Sequence, residues 1–215
     1  MPSSPVALIE TVRIIGGRAP LWHLHLRRLV ASCRALGVPF PTEFTVPAGG
    51  ADRVHRLVVS SRGQQIIERE VGPVHPVSLV TSGVVHSPYP HKTVERGQFA
   101  EAAAEAEAKG ADDGLMLVAD GSVAECPIWT VFWWEGETLC APPLSLGILP
   151  SVARARIAEL RPLQERKAGR ADLNGRSMFV ANAARGIVPV GALDGARIPE
   201  ASATTLLRQR FWTTA

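Results

Sequence analysis

The 215-residue chain has only three cysteines, Cys33, Cys126 and Cys140. So odd and sparse a set, without metal-ligand spacing, fits free thiols in a reducing compartment. Long apolar runs are missing too. No stretch approaches the roughly 18 residues of a membrane span, and the opening "MPSSPVALIETVRII" lacks the basic region and long apolar core of a signal peptide. A cytoplasmic protein with no membrane partner is expected. Charge of one sign is scarce: 23 basic against 20 acidic residues leave +3, too little to argue for nucleic acid without a clustered stripe. The nearest approach to one, His23, His25, Arg27, Arg28 and Arg34, reads mostly as a solvated helix face. Familiar short motifs are absent: no P-loop, no dinucleotide-binding glycine fingerprint, no GxSxG elbow and no HExxH. His23 and His25 stand two apart, which turns their rings to different sides of a helix, so no metal is expected.

What is present is an ordinary globular composition, 46% hydrophobic and 20% charged, long enough to bury one large core or two small ones. "VALIETVRII" reads as a strand with a "GGR" turn after it. Leu26, Leu29, Val30, Cys33 and Leu36 recur at helical spacing over 22–36, with Gly37 and Pro39 as the stop. "VPAGGADR" is a loop, and "VHRLVVSS", "QQIIEREV" and "PVSLVTSGVV" are strands. "GQFAEAAAEAEAKG" is a helix of strong formers ending at glycine. Hairpins are expected around Asp120-Gly121 and Glu135-Gly136. "PSVARARIAELRP" is a short helix, "SMFVANAARGIVPVGALDG" two strands around a kink, and "PEASATTLLRQRF" a closing helix. Strict βαβ alternation and 20–50-residue repeats are missing. The pattern predicts an α+β protein in two lobes: 1–86, a linker 87–91, and 92–215. Trp129, Trp133 and Trp134 alternate along a strand and are expected to pack in a core.

The linker holds the most unusual passage, "SPYPHKTVERGQ". Two prolines stiffen the chain, and Lys92 then appears just before a helix. By itself it is one more solvated charge or a nucleophile at a domain seam. Downstream, a hairpin delivers Glu125 at the end of an apolar strand, and "GILPSVARARI" puts a loop before a helix N-terminus, whose free amides suit a phosphate. A lysine, a carboxylate and a phosphate cradle are the parts that hold pyridoxal phosphate, although composition alone does not select this combination from many others.

Order, spacing and residue types over "ETVRIIGGRAPLWHLHLRRLVASCRALGVPFP", "HKTVERGQFAEAAAEAEAKGADDGLMLVADGSVAE", "LCAPPLSLGILPSVAR" and "MFVANAARGIVPVGALDG" resemble the class IV (fold-type IV) pyridoxal-phosphate enzymes. These include branched-chain and D-amino-acid aminotransferases and aminodeoxychorismate lyase. The resemblance implies a two-lobed, D-amino-acid-aminotransferase-like fold with a barrel-like second lobe and an N-terminally trimmed first one. It makes Lys92 the catalytic Schiff-base lysine and Glu125 the partner of the pyridine nitrogen. Arg28 and the amides of Val152 and Ala153 become phosphate ligands, Asn182 and Ala183 the strand end beside the cofactor, and Arg62 an arginine near the substrate carboxylate. Three positions depart from the family pattern: Thr130 stands for an asparagine, Ala153 for a threonine, and Ser151 for a glycine. The form of "NAARGIVPV", "AEC", and Gly97 in place of a tyrosine resemble the lyase, which converts 4-amino-4-deoxychorismate to 4-aminobenzoate and pyruvate in the folate pathway. A branched-chain or D-amino-acid transaminase is the close alternative, and a low-activity or non-catalytic homologue the third. A homodimer with a small-molecule substrate is implied as well.

Overall fold

The computed structural model describes residues 6–41 and 51–213. The first sheet is a three-stranded antiparallel meander. β1 (Leu8–Ile14) pairs with β2 (Arg53–Ser60), and β2 with β3 (Gly63–Arg69). Between β1 and β2 runs α1 (Trp22–Leu36), closed by Gly37 in the left-handed conformation at φ 63°, as a glycine C-cap requires. Leu8, Leu29, Cys33, Val38 and Val59 form the core between α1 and one face of the sheet. The buried stripe of α1 is Leu24, His25, Leu29, Ser32 and Cys33. It differs from the expected stripe: Val30 is exposed, and a histidine and a serine turn inward. The first part of the expected "VPAGGADR" loop, residues 46–50, lies outside the described residues.

The remaining strands are β4 (Val77–Val85), β5 (Asp113–Leu117), β6 (Thr130–Glu135), β7 (Thr138–Ala141), β8 (Gln164–Glu165), β9 (Met178–Asn182), β10 (Gly186–Leu193) and β11 (Ala196–Arg197). They form one mixed sheet in the order β5-β4-β10-β9-β6-β7-β8, with β11 on β10. β4 therefore belongs to this sheet, whereas the expected division placed residues 77–85 in the first lobe. Its parallel pairing with both β5 and β10 is the reason, and the change of sheet falls between β3 and β4. The Gly136–Glu137 turn of the β6–β7 hairpin lies one residue beyond the expected place, because Glu135 pairs with Thr138.

Parallel strands cannot be joined by a tight turn; they need a crossover. The β4–β5 crossover is residues 86–96 followed by α2 (Gly97–Ala108), so the proline-rich passage and Lys92 lie on its rising arm. α2 packs hard on the sheet: a Cβ at Gly114 would stand 2.8 Å from the Ala102 carbonyl oxygen. β6 is buried on both faces. Val131 and Trp133 join Leu79, Leu115 and Val188 in one core, while Phe132 and Trp134 pack with α3 (Val152–Leu160) and α4 (Ser202–Arg210) in the other. Each such side chain adds about 1.5–3 kcal/mol of burial. The result is a half-barrel against which the small sheet leans.

Candidate active site

A cavity of about 300 Å³ opens between the two sheets. Lys92, Arg28, Glu125, Val152, Ala153, Asn182 and Ala183 all line it, brought together from both sheets and the crossover. Arg62 does not line it. It sits in the β2–β3 turn, where Ser60 pairs with Gly63. The cavity lies at the other end of that hairpin, beside Val54, Arg56 and Arg69. Four strand steps, about 13 Å, carry the chain from Arg56 to Ser60, and Arg62 lies beyond them in the turn.

Lys92 is stitched to the small sheet. Ile9 N–H donates to the Lys92 carbonyl at 2.7 Å and Val94 N–H to that of Ala7 at 2.9 Å. The other side of the arm is pinned to the loop before α3. Tyr89 N–H donates to the Gly147 carbonyl at 2.7 Å, and Pro88 lies where a Cβ on Gly147 would be, 2.8 Å away. Only glycine tolerates both that approach and the φ of +77°. The amine opens on the cavity but is otherwise enclosed by protein. Burial, then the positive charges of Arg28 and Arg96, bring its pKa from 10.5 down to about 7.

Glu125 is 5% exposed. It stands on the return arm of the β5 hairpin, where its carbonyl accepts from Met116 N–H at 3.0 Å. Its Oε1 accepts from Leu149 N–H at 3.0 Å and lies 2.9 Å from His86 Nε2. α3 begins at the cavity wall. Ser151 caps it, its Oγ accepting from Arg154 N–H at 3.0 Å and from the Thr130 hydroxyl at 2.6 Å. The residues at two of the departing positions are thus bonded to each other, and a serine hydroxyl stands at the cavity beside the first amides of the helix. Asn182 Oδ1 accepts from the amides of Ala184 and Arg185 and shapes the turn into β10.

Sequence reasoning missed Glu10. It is 2% exposed and lies on the α1-facing side of β1, which it shares with Leu8 and Val12, while Ile9 and Thr11 face the cavity. Arg28 donates to it twice, Nε to Oε1 at 2.9 Å and Nη2 to Oε2 at 2.5 Å, and His25 Nδ1 lies 2.6 Å from Oε2. Burial opposes the Glu10 charge, but Arg28 and His25 outweigh it and hold the pKa at about 2. The missed signal was an acid at a core position of a β-branched strand. Arg56 and Arg69 were missed as well. Neither has a carboxylate partner among the described residues, and the pKa of Arg56 is lowered first by burial and then by Arg69 and Arg96. Trp129 lines the cavity too, with the Arg185 guanidinium 5.6 Å from its ring.

Many solved structures share the fold, among them the following three. A candidate amino-acid aminotransferase from Mesorhizobium loti is 25% identical, with 87% of this chain and 99% of that one covered at a TM-score of 0.80. A candidate 4-amino-4-deoxychorismate lyase from Legionella pneumophila is 23% identical over 95% and 91%, TM-score 0.80. An aminotransferase from Brucella abortus, bound to the cofactor pyridoxal phosphate, is 18% identical over 96% and 88%, TM-score 0.81. A search of curated proteins found no match. The family model for amino-transferase class IV matches residues 55–193. That span takes in more than half of the sequence and makes this chain a member of the class IV aminotransferases, a family of pyridoxal-phosphate enzymes.

Proposed function

We propose that this enzyme is a lyase that converts 4-amino-4-deoxychorismate to 4-aminobenzoate and pyruvate. The observation that carries the reading is the pair Arg56 and Arg69, unmatched by described carboxylates on the wall of the cavity that Lys92 enters. Like charges gathered in a partly dry site call for anions, and this substrate brings two carboxylates with its amine. The sequence form of "NAARGIVPV" and Gly97 point the same way.

The donor set fits the cofactor. Lys92 is an amine with its proton loosely held near neutral pH, as covalent capture of an aldehyde needs. Glu125 has one oxygen engaged and a place on the cavity wall for the ring nitrogen. Arg28, fixed by Glu10, together with Ser151 Oγ and the amides of Val152 and Ala153, would hold the phosphate; the first amides of a helix have no partner within it. Asn182 and Ala183 would border the ring. When bound, pyridoxal phosphate supplies an electron sink for the bond broken at the amine-bearing carbon. In the reading, Lys92 Nζ takes the proton from that carbon and gives one back to the departing three-carbon fragment. Glu125 keeps positive charge at the ring nitrogen. The walls of the cavity leave Lys92 and Glu125 only a narrow contact with water, which strengthens their interactions less than full enclosure would. The proposal includes a homodimer, as family members pair, and a cytoplasmic setting, in keeping with three free thiols.

A second reading, amino-acid transaminase, is favoured by the relative from Mesorhizobium loti that is covered over nearly its whole length. Products separate the two. The lyase releases 4-aminobenzoate and pyruvate in equal amounts and leaves the cofactor as its aldehyde. Rapid conversion of the cofactor to its amine form by glutamate, leucine or D-alanine, without 4-aminobenzoate from the chorismate derivative, would overturn the lyase reading. Silence in both assays with cofactor bound would point to a homologue of little activity.

A further inference from the structure

His86 follows the last residue of β4 and starts the crossover. Its side chain has no exposed surface. The backbone amide donates to the Leu117 carbonyl at 2.8 Å, and the ring meets Phe99 edge-on, centroids 6.0 Å apart at 64°. The imidazole is therefore held from behind and from the side. Its one polar side-chain contact among the described residues is Glu125, Nε2 to Oε1 at 2.9 Å. A carboxylate only accepts, so the proton of this pair sits on Nε2. Nδ1 is buried with no hydrogen-bond partner among the described residues. An orphaned buried nitrogen costs stability that an apolar side chain in the same space would not. The histidine thus carries a cost whose visible return is one bond to a carboxylate on the cavity wall.

Leu149 N–H donates to the same oxygen. With two donors on Oε1, the plane of the carboxylate is fixed, and Oε2 is left without a partner among the described residues. We propose that His86 is a positioning residue for Glu125. By donating from Nε2 to Oε1 it fixes the carboxylate rotamer and keeps Oε2 available to the ring nitrogen of the cofactor. The inference rests on the reading of Glu125 given above, and it adds a residue that makes no contact with substrate or cofactor.

The test uses the holoenzyme and three substitutions. Glutamine can place an amide N–H close to where Nε2 stands, asparagine reaches only as far as Nδ1, and leucine donates nothing. His86→Leu and His86→Asn should lower kcat about ten- to a hundredfold, the range for losing a hydrogen bond to a charged group. KM and the cofactor Kd should change less than about threefold, since neither the phosphate cradle nor the substrate wall is touched. The pH midpoint of the bound cofactor's visible band should move in both variants. A merely structural histidine would leave that midpoint where it was. His86→Gln should restore both kcat and the midpoint. On a Glu125→Gln background, His86→Leu should add less than about twofold, because it acts through Glu125.

A normal His86→Leu enzyme, a glutamine variant as impaired as the asparagine one, or independent losses in the double variant would overturn the inference. Glu125→Gln separates the two levels. Normal turnover in that variant removes the reading of Glu125 itself, whereas a crippled Glu125→Gln beside a normal His86→Leu overturns the role of His86 alone. If the leucine chain does not fold, the glutamine and asparagine variants decide the matter between them.

Discussion

Replacing Lys92 with methionine should make the cofactor-free chain more stable at neutral pH. The unfolded lysine keeps its proton up to 10.5, whereas the folded one releases it at about 7. Below pH 7 both states are charged and the folded state bears the full cost of an enclosed ammonium beside Arg28 and Arg96. Between the two values the unfolded chain binds the extra proton, so stability rises with pH. Above 10.5 neither state is charged and the cost is gone. At about 1.4 kcal/mol for each pH unit the whole interval is worth close to 5 kcal/mol. The amine keeps partial access to cavity water, which screens it, so about 2–3 kcal/mol is the expected gain. Methionine fills the same space with a flexible apolar chain. Urea unfolding of the cofactor-free wild type and variant, at about pH 6.5 and about pH 9.5, reads the effect directly. The gain should be largest at the lower pH and mostly lost at the higher. A variant no more stable than wild type at the lower pH, or a gain equal at both, would refute the account of Lys92 as an amine held at the expense of stability.

Three further outcomes follow from the site. The chain has three lysines, and Lys109 and Lys167 lie on the surface paired with Glu105 and Asp120. Borohydride reduction of the holoenzyme should therefore label the peptide containing Lys92, and mass mapping to either of the others would displace it. Glu10→Gln frees Arg28, and cofactor affinity measured by fluorescence titration should fall about tenfold or more. The same variant should lose stability above the ordinary carboxylate range, and the loss should shrink as pH falls from 4.5 toward 2, where the wild-type Glu10 is itself protonated. An unchanged affinity would mean that Arg28 is held without Glu10.

Helix boundaries were legible because caps and periodicity are local: α1 spans the expected 22–36, and Gly37 ends it. Sheet membership was not. β4 looks like any half-buried strand, and its parallel partners β5 and β10 are chosen by a crossover and by a strand over a hundred residues away, neither of which marks its own residues. Lys92, Glu125 and the α3 N-terminus stood out because each sits at a change of local structure. Glu10 and His86 did not, since a buried acid and a buried histidine take their meaning from partners 15 and 39 positions distant. Arg62 was placed by pattern alone, whereas the strand register points Arg56 and Arg69 at the cavity. Thr130 and Ser151 read as two separate departures from the family pattern; their mutual hydrogen bond makes them one altered corner.

The ribbon that joins residues 92–94 to β1 gives the chain an unusual mechanical wiring. Lys92 follows β4 in sequence, yet its backbone is hydrogen-bonded to the other sheet, while Glu125 and the N-terminus of α3 belong to the half-barrel. If the backbone were severed between Pro73 and Pro76, the two fragments would have to find each other again through this short ribbon together with the packing of Leu21 and Leu24 against β6 and α3. Reassembly of a split protein and recovery of the low-pKa amine would then be a single event, and an aldehyde added to the mixture would report complementation by its own change of colour.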